Sequence, residues 1–374
     1  MKKMSLYIHI PFCVKKCGYC DFISFDYNKE QMEKYLSYLK KEILHYGRDQ
    51  KIYTIFIGGG TPSLMSGLQM KDLMEHIREY FDLTECKEIS IESNPGTLTE
   101  ENLIMYKEAG INRISMGVQT LNDETLKTLD RIHDVKQVYE SIDLIKKVGF
   151  ENINLDLMFG LPGQSEDQLE STVKKMIELD PTHISAYSLK FEEGTPFYER
   201  LETGDIKALD DELDRGMYHT VISLLREAGY HQYEISNFSK EAYECLHNLV
   251  YWEKDDYLGL GIGAHGCIDN ERYSNESTLD AYYTSIDEKG NGLKDIQEID
   301  YDDDLFEYII LNLRLNKGLS IDKINKKYKI DFMTLYFDQI EKLKEDELIQ
   351  VGDRIVLTEK GIDLSNQVFI SFLD

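Results

Sequence analysis

The chain has 374 residues, of which 42% are hydrophobic and 30% are charged, the composition of an ordinary globular protein with room for two or three domains. Its net charge of −27 at pH 7 argues against partners such as nucleic-acid phosphate or anionic lipid. No apolar run approaches the roughly 20 residues that a membrane-spanning helix needs.

Residues 5–190 alternate between strand-like and helix-like runs. The predicted strands cover residues 5–10, 54–57, 88–92, 113–118, 152–158 and 183–189. Between them, apolar residues repeat at helical spacing over 32–46 and 135–148, and Thr99 caps a further helix that Gly110 closes. Six strands, each followed by a helix, imply right-handed crossovers and a parallel sheet. We therefore predict an α/β fold with a partial (β/α)6 barrel over residues 1–190.

Polar motifs follow the predicted strands at their carboxyl ends. Residues 58–62 (GGGTP) follow the second strand, Glu92 ends the third, Gln119 follows the fourth and Asp156 lies in the fifth. Parallel α/β sheets and barrels carry their active sites at this edge. The sequence therefore predicts one site built from several strand ends.

Beyond residue 190 the pattern loosens. Residues 191–290 are predicted to extend the barrel, with a helix over 208–228, a strand over 232–238 and a glycine-rich apolar run over 257–268. In residues 291–374, three predicted helices (304–315, 321–328 and 332–344) precede a β-ribbon (348–351 and 355–357) and a last helix, which predicts a winged-helix-like α+β domain. Residues 301–374 hold 10 Lys or Arg and 15 Asp or Glu, so we expect a lid or protein-contact domain that binds no nucleic acid.

The cysteines Cys13, Cys17 and Cys20 follow the first predicted strand with the spacing C-x3-C-x2-C. A loop of this kind can fold its thiolates around one metal centre, and iron–sulfur clusters are usually held by four thiolates. With three local thiolates, one iron would stay open to a ligand from outside the protein. The alternatives are a zinc site with His9 as the fourth ligand, or a disulfide with a spare thiol.

The cysteine spacing, with the aromatic Tyr19 before the last cysteine, resembles the signature of the radical S-adenosylmethionine (SAM) superfamily. The resemblance extends over nearly the whole chain to its coproporphyrinogen-III-oxidase-like branch, through the segments YIHIPFC, GGGTP, GVQ, RIH and NLDLMFGLPG. It implies a radical-SAM barrel and a [4Fe–4S] cluster on Cys13, Cys17 and Cys20. The open iron would be chelated by the amino and carboxylate groups of SAM.

The same resemblance implies which residues bind SAM: Tyr7, Tyr19, Gly59, Gly60, Thr61, Glu92, Gln119, Arg131 and Asp156. Carboxylates such as Glu92 and Asp156 can accept the protons of ribose hydroxyls, and the planar fork of Arg131 can pair with the SAM carboxylate. Each residue also has a plain alternative. The acids could be solvated strand ends, and Arg131 could form a surface ion pair with Asp130 or Asp134.

The segment His247-Asn248-Leu249-Val250-Tyr251-Trp252 resembles the heme-binding box of the radical SAM heme chaperones. Histidine can ligate heme iron, while aromatic side chains can flank a flat macrocycle. We therefore predict that His247, Asn248, Tyr251 and Trp252 bind heme. The alternative is an aromatic core segment with a structural histidine.

Two features separate this chain from the oxidase proper. The oxidase has a further cysteine two residues after the triplet, where this chain has Phe22, and an N-terminal extension, where this chain has twelve residues before Cys13. The prediction is a heme chaperone that binds a [4Fe–4S] cluster and SAM and delivers heme to client proteins, possible clients being membrane-bound respiratory enzymes. The alternatives are an oxygen-independent coproporphyrinogen III oxidase and a radical SAM methyltransferase-like enzyme.

The expected location is the cytoplasm. Clustered cysteines favour reduced thiols. Residues 1–5 are basic but lead directly into the first strand and the cysteines, so cleavage of a signal peptide would pass through the site.

Overall fold

The structure is a computed structural model that describes residues 4–47 and 50–373, so Met1, Lys2 and Lys3 lie outside the described residues. The strands in chain order are β1 (Met4–Ile10), β2 (Phe12–Cys13), β3 (Phe25–Asp26), β4 (Ile52–Gly59), β5 (Glu88–Ser93), β6 (Arg113–Gln119), β7 (Asn152–Phe159), β8 (His183–Ser188), β9 (His231–Glu234), β10 (Asn237–Ser239), β11 (Asp256–Leu260), β12 (His265–Ile268), β13 (Glu271–Asn275), β14 (Leu293–Glu298), β15 (Leu319–Ser320), β16 (Ile349–Val351) and β17 (Arg354–Leu357).

The α-helices in chain order are α1 (Lys29–Tyr46), α2 (Gly67–Tyr80), α3 (Glu100–Glu108), α4 (Asp123–Thr128), α5 (Val135–Val148), α6 (Glu166–Glu178), α7 (Pro196–Glu202), α8 (Asp211–Glu227), α9 (Leu246–Trp252), α10 (Leu279–Lys289), α11 (Tyr301–Leu313), α12 (Ile321–Tyr328), α13 (Phe332–Leu335), α14 (Phe337–Glu345), α15 (Glu359–Asp363) and α16 (Ser365–Ile370). None of the helices in the described ranges is both long enough and apolar enough to cross a membrane.

The six strands predicted from the sequence form the centre of a twelve-stranded sheet. β1, β4, β5, β6, β7 and β8 lie side by side in that order, and every neighbouring pair is parallel. The sheet continues through β11 beside β1 and through β10 beside β8, so its ends do not pair with each other. The α/β prediction is confirmed, and the open parallel sheet is consistent with a partial barrel.

Strand alternation explains which face of the sheet carries the core. In β1, Leu6 and Ile8 are fully buried among the helices, as are Ile55 and Ile57 in β4. Side chains alternate between faces along a strand, so Tyr7 and the other intervening residues point into the barrel. Many of these inward residues are polar, which leaves a lumen in place of a packed apolar barrel core.

Two local predictions were wrong for the same reason. The segment predicted as one strand, 232–238, is a tight hairpin of β9 and β10, and the helix predicted over 332–344 breaks at Tyr336 into α13 and α14. The hairpin turns at Ile235 and Ser236, and the helix breaks at Tyr336. Neither place contains the glycine or proline that usually marks a turn, so the sequence contains no signal for either break.

The C-terminal residues form a second core. Leu305, Leu319, Phe332 and Val368 belong to an apolar cluster separate from that of the barrel. Helices α11, α12 and α14 stand beside a three-stranded antiparallel sheet in the order β15-β17-β16, which is the arrangement predicted as winged-helix-like. The strand at 293–298, in contrast, pairs with β13 at the edge of the large sheet.

Candidate functional site

The three clustered cysteines lie together in one cleft at the carboxyl ends of the central strands. Cys13, Cys17 and Cys20 are free thiols, partly exposed, and all three line the cleft. The loop turns between Cys17 and Cys20, where the Cys20 amide donates to the Cys17 carbonyl at 3.2 Å. None of the other described cysteines lines this cleft.

The donor set at these thiols fits an iron–sulfur cluster better than a zinc ion. Thr61 Oγ1 lies 3.6 Å from Cys13 Sγ, and Arg131 Nη1 lies 3.4 Å from Cys17 Sγ, so donors already surround the sulfur atoms. His9 was the candidate fourth ligand for zinc. Its Nε2 donates to the Ile23 carbonyl at 2.9 Å, and its Nδ1 accepts from the Tyr7 hydroxyl at 2.9 Å. Both ring nitrogens of His9 are therefore engaged, and the zinc alternative loses the ligand it required.

The glycine loop after β4 needs glycine at two positions. Gly59 has φ of 114°, and a Cβ there would lie 2.5 Å from the His9 ring. A Cβ on Gly60 would lie 2.7 Å from the Phe12 carbonyl oxygen. Thr61, the next residue, accepts from Asn94 Nδ2 at 2.9 Å. The loop thus presses against the cysteine loop and exposes its backbone to the cleft.

Two buried carboxyl groups form the wall opposite the cysteines. The pKa of Glu92 is raised from 4.5 to about 8, mainly by burial and also by nearby Asp156. The hydrogen bond that the Gly59 amide donates to Glu92 at 2.9 Å acts in the opposite direction. Burial also raises the pKa of Asp156, although Asn154 Nδ2 donates to it at 2.7 Å. A protonated carboxyl group donates as well as accepts, so this wall suits a ligand with hydroxyl groups.

Arg131 points into the cleft and forms no surface ion pair with its acidic neighbours. Its Nη2 donates to the Gly117 carbonyl at 2.6 Å and also contacts Asn94 Oδ1, whereas Asp130 pairs with Lys15 at 2.8 Å. Arg131 Nε is buried and has no hydrogen-bond partner. The guanidinium therefore keeps donor capacity for a ligand.

The remaining predicted SAM residues divide between two cavities. Gln119 ends β6 in the left-handed region, with φ of 67°, and lines the cysteine cleft, as does Tyr19. Tyr7 lies deeper, outside the cleft, where it stacks against Phe56 with ring centroids 6.4 Å apart. The structure thus places eight of the nine predicted SAM residues on the cleft and Tyr7 below it.

The second cavity, here called the lumen, runs inside the barrel from the cleft to α9. It shares Glu92, Gln119 and Asp156 with the cleft, so the two spaces are continuous. His247, Asn248 and Tyr251 on α9 line its lower end, beside the amino ends of the strands. Three of the four residues predicted to bind heme therefore face the same space as the cleft.

His247 is 1% exposed and held at both ring nitrogens. Thr54 donates its hydroxyl proton to Ser5 Oγ at 2.8 Å, so its oxygen accepts from His247 Nδ1, also at 2.8 Å. Nε2 then accepts from the Tyr251 hydroxyl at 2.9 Å. Burial lowers the pKa of His247 to about 3, so the ring is neutral. Its Nε2 lone pair can reach a metal only if Tyr251 releases it.

Trp252 lies apart from the other residues of the box. It stands on another face of α9, and the Arg314 guanidinium lies 4.5 Å from its ring centroid. Its indole nitrogen is buried without a partner, and it does not line the lumen. The structure thus places Trp252 against Arg314, the residue that follows helix α11.

Comparison with known proteins places the chain in a family. Residues 7–176 match the family model of the Radical SAM superfamily, and residues 299–364 match that of the HemN C-terminal domain. Heme chaperone HemW of Bacillus subtilis is 39% identical over 99% of this chain and 99% of its own length. Heme chaperone HemW of Escherichia coli is also 39% identical, over 99% of this chain and 98% of its own length.

The chain belongs to the HemW family of radical SAM proteins. Coproporphyrinogen III oxidase (HemN) of Escherichia coli has a similar solved structure, with a TM-score of 0.87, 26% identity, and coverage of 99% of this chain and 90% of its own. The two folds therefore agree from the barrel into the C-terminal domain.

Several lumen residues of this HemW-family chain were missed by sequence reasoning. They alternate with core residues along the strands and face inward: Phe56, Arg113, Ser115, Asn154, Ser185 and Tyr187. The signal was present as polar residues at every second position of β5 to β8, such as Ser90 and Ser115. A polar inward face identifies a cavity only after the sheet is known to curve around it.

Proposed function

We propose that Cys13, Cys17 and Cys20 hold a [4Fe–4S] cluster and that SAM binds beside it in the cleft. Backbone groups of the glycine loop and the donor capacity of Arg131 suit the amino and carboxylate groups of SAM, and the wall of Glu92 and Asp156 suits its ribose. When bound, a reduced cluster and SAM together supply one-electron chemistry. The protein orients the cofactor and shields it from water.

The proposed function of the whole chain is that of a cytoplasmic heme chaperone. The observation that carries it is the lumen, which leads from the cleft to His247, Asn248 and Tyr251 in a chain with full-length relatives named as heme chaperones. Aromatic walls from Tyr7, Phe56 and Tyr187 suit a flat macrocycle. Heme-requiring proteins, including respiratory enzymes at the membrane, are the proposed recipients.

Iron ligation by His247 requires one local change. The Nε2 lone pair is occupied by the Tyr251 hydroxyl proton, one turn along the same helix. Rotation of the Tyr251 side chain would free that lone pair without moving the backbone of α9. Under this proposal, Tyr251 is the group that holds His247 in its heme-free state.

Oxygen-independent coproporphyrinogen III oxidation is the second candidate, because the HemN structure matches nearly the whole chain. Phe22 argues for the chaperone. It stands where the resemblance to the oxidase predicts a further cysteine, is 59% exposed, and lines both the cleft and the lumen.

One pair of anaerobic assays on the reconstituted protein separates the two functions. Coproporphyrinogen III, SAM and a reductant are supplied first, and protoporphyrinogen IX is measured. Heme is supplied in a parallel sample, and its uptake and release to apo-myoglobin are followed by absorption. Stoichiometric heme uptake and transfer without turnover is the expected result. Catalytic formation of protoporphyrinogen IX would overturn the proposal.

A further inference from the structure

The lumen contains one charged side chain to which the proposed function assigns no role. Arg113 is the first residue of β6, is 2% exposed, and lines the lower lumen near His247. Its Nε is buried and has no hydrogen-bond partner among the described residues. A buried donor of a charged group that lacks a hydrogen-bond partner is energetically unfavourable, so the position of Arg113 calls for a physical explanation.

The polar residues around Arg113 are already engaged with one another. His183 Nδ1 donates to Asn154 Oδ1 at 2.6 Å, and its Nε2 accepts from the Tyr233 hydroxyl at 2.9 Å. Burial lowers the pKa of His183 well below 6.5, so this second histidine is neutral too. The guanidinium of Arg113, in contrast, has a spare donor, Nε, at the floor of the lumen.

Glu88 is a candidate for a structural counter-ion of Arg113, but its oxygens accept hydrogen bonds from other groups. They accept from the backbone amides of Leu246 and His247 at 3.1 and 3.2 Å and from Cys245 Sγ at 3.5 Å, at the start of α9. Burial opposes the charge of Arg113, but the nearby acids Glu88 and Asp156 favour it, and the pKa of Arg113 is raised. Glu88 thus anchors α9 and keeps Arg113 cationic without occupying its donors.

We propose that Arg113 binds a carboxylate group of the macrocycle that enters the lumen and thereby fixes which edge of the ring faces the floor. This proposal depends on the proposed function in one respect: both take the lumen as the ligand site. Guanidinium–carboxylate pairs are the strongest of the common hydrogen-bonded contacts, and the planar fork of arginine also fixes the orientation of its partner. The ring would lie against Tyr7 and Phe56 with one acid group directed to the floor.

Two acids, Glu92 and Asp156, separate the lumen from the cleft. Burial raises the pKa of both side chains, that of Glu92 to about 8, and so disfavours their charged forms. An entering carboxylate therefore meets less repulsion from this wall than from two solvated acids, and it meets the cation Arg113 at the floor.

The first test needs no variant. Binding of iron protoporphyrin IX to the reconstituted wild-type protein is compared with binding of its dimethyl ester, which keeps the ring and the iron but removes both carboxylates. A loss of about tenfold to a hundredfold in affinity is expected for the ester, the range of one charge-assisted hydrogen-bonded pair. Equal affinities would overturn the proposal.

The second test assigns the effect to Arg113. Arg113→Gln should bind the acid and the ester with nearly equal affinity, and Arg113→Lys should restore part of the preference because it keeps the charge. Circular dichroism and cluster absorption verify that the variants are folded. A preference for the acid that survives in a folded Arg113→Gln variant would place the carboxylate elsewhere.

The third test separates this inference from heme transport. Coproporphyrin III, which carries four carboxylates and no iron, and its tetramethyl ester are titrated by fluorescence. If coproporphyrin III binds through Arg113 while heme does not bind, the heme-chaperone proposal fails and the carboxylate site stands. If heme binds and neither ester nor variant changes its affinity, the chaperone stands and the carboxylate site fails. If neither acid binds, both fail.

Discussion

The two ends of the lumen are built in opposite ways. At the carboxyl ends of the strands, the cleft is made of loops, with partly exposed thiols and an Arg131 that keeps an unused donor. At the amino ends, α9 closes the barrel, and His247 is buried with both ring nitrogens engaged. The upper end is ready to receive ligands, whereas the lower end must exchange an existing hydrogen bond for a new one.

This difference has a physical cause. Polar groups on loops at strand ends can lack a hydrogen-bond partner within the protein, because water forms hydrogen bonds with them until a ligand binds. A closed barrel floor has little access to water, so its polar groups are paired with each other or cost free energy. Arg113 is the exception at the floor, which is why it carries the further inference.

The largest expected effect is at the open end. Cys17→Ala should abolish the visible absorption of the cluster after anaerobic reconstitution, because three thiolates already leave one iron without a protein ligand. Cys86→Ala is the matched control, since Cys86 lies outside the cleft, and it should keep the full absorption. Loss of the cluster in the control with retention in Cys17→Ala would reverse the assignment.

Glu92 tests whether the wall between the two ends is neutral. Its pKa is raised to about 8, so the folded state holds a proton that the unfolded state releases above about 4.5. The free energy of unfolding should therefore fall by about 1.4 kcal/mol per pH unit between these values and level off above pH 8. Urea unfolding of the cluster-free protein measures this.

Glu92→Gln should remove that part of the pH dependence and leave the variant more stable than the wild type at pH 8. Ser90→Ala, one inward position away on β5, serves as the control and should keep the slope. An unchanged slope in Glu92→Gln would mean that Glu92 is ionised in the folded protein.

His247 tests the closed end. His247→Ala should lower the free energy of unfolding by about 2–4 kcal/mol, because it leaves a cavity and removes the acceptor of the buried Tyr251 hydroxyl. Under the proposed function it should also weaken heme binding and shift the Soret band. Wild-type heme affinity and spectrum in this variant would make His247 purely structural.

Tyr251→Phe sharpens the same question, since it removes only the hydroxyl group that occupies His247 Nε2. Stability should fall by about 0.5–1.5 kcal/mol, the value of one hydrogen bond. Heme affinity should be maintained or increased, because the iron no longer competes with that proton. Weaker heme binding would instead show that the Tyr251 hydroxyl group itself contacts the heme.

Arg131 tests ligand binding at the open end. Arg131→Ala should weaken SAM binding by about 1.5–3 kcal/mol, the range for charge-assisted hydrogen bonds, measured by calorimetry on the reconstituted protein. Arg215→Ala is the control, because Arg215 lies on α8 and pairs with Glu212 at the surface, outside the cleft. Equal SAM affinity in wild type and Arg131→Ala would remove Arg131 from the site.

We expect no binding to duplex DNA. The full-length protein should not shift duplex DNA in a gel at physiological salt, because the winged-helix-like domain carries more acidic than basic residues. A salt-sensitive shift would show that local basic residues outweigh the net charge.

The sequence by itself determined the six parallel strands, the cysteine triplet and the glycine loop. These are local properties: alternating apolar residues define strands, spacing along one loop brings thiols together, and a positive φ at Gly59 requires glycine. The predicted helix at 135–148 agrees with α5 because Asp134 and Gly149 cap it from within the same segment. No distant contact was needed for any of them.

Only the tertiary structure decided what the inward side chains do. Arg113, Tyr187 and Phe56 come from different strands, and they share a cavity because the sheet curves and α9 closes it. The same packing also places Trp252 and His247 in different surroundings. The two residues are five positions apart on one short helix, and the sequence had predicted that they bind one ligand. Which face a residue presents depends on what packs against it, and that information lies in contacts between distant segments rather than in the local sequence.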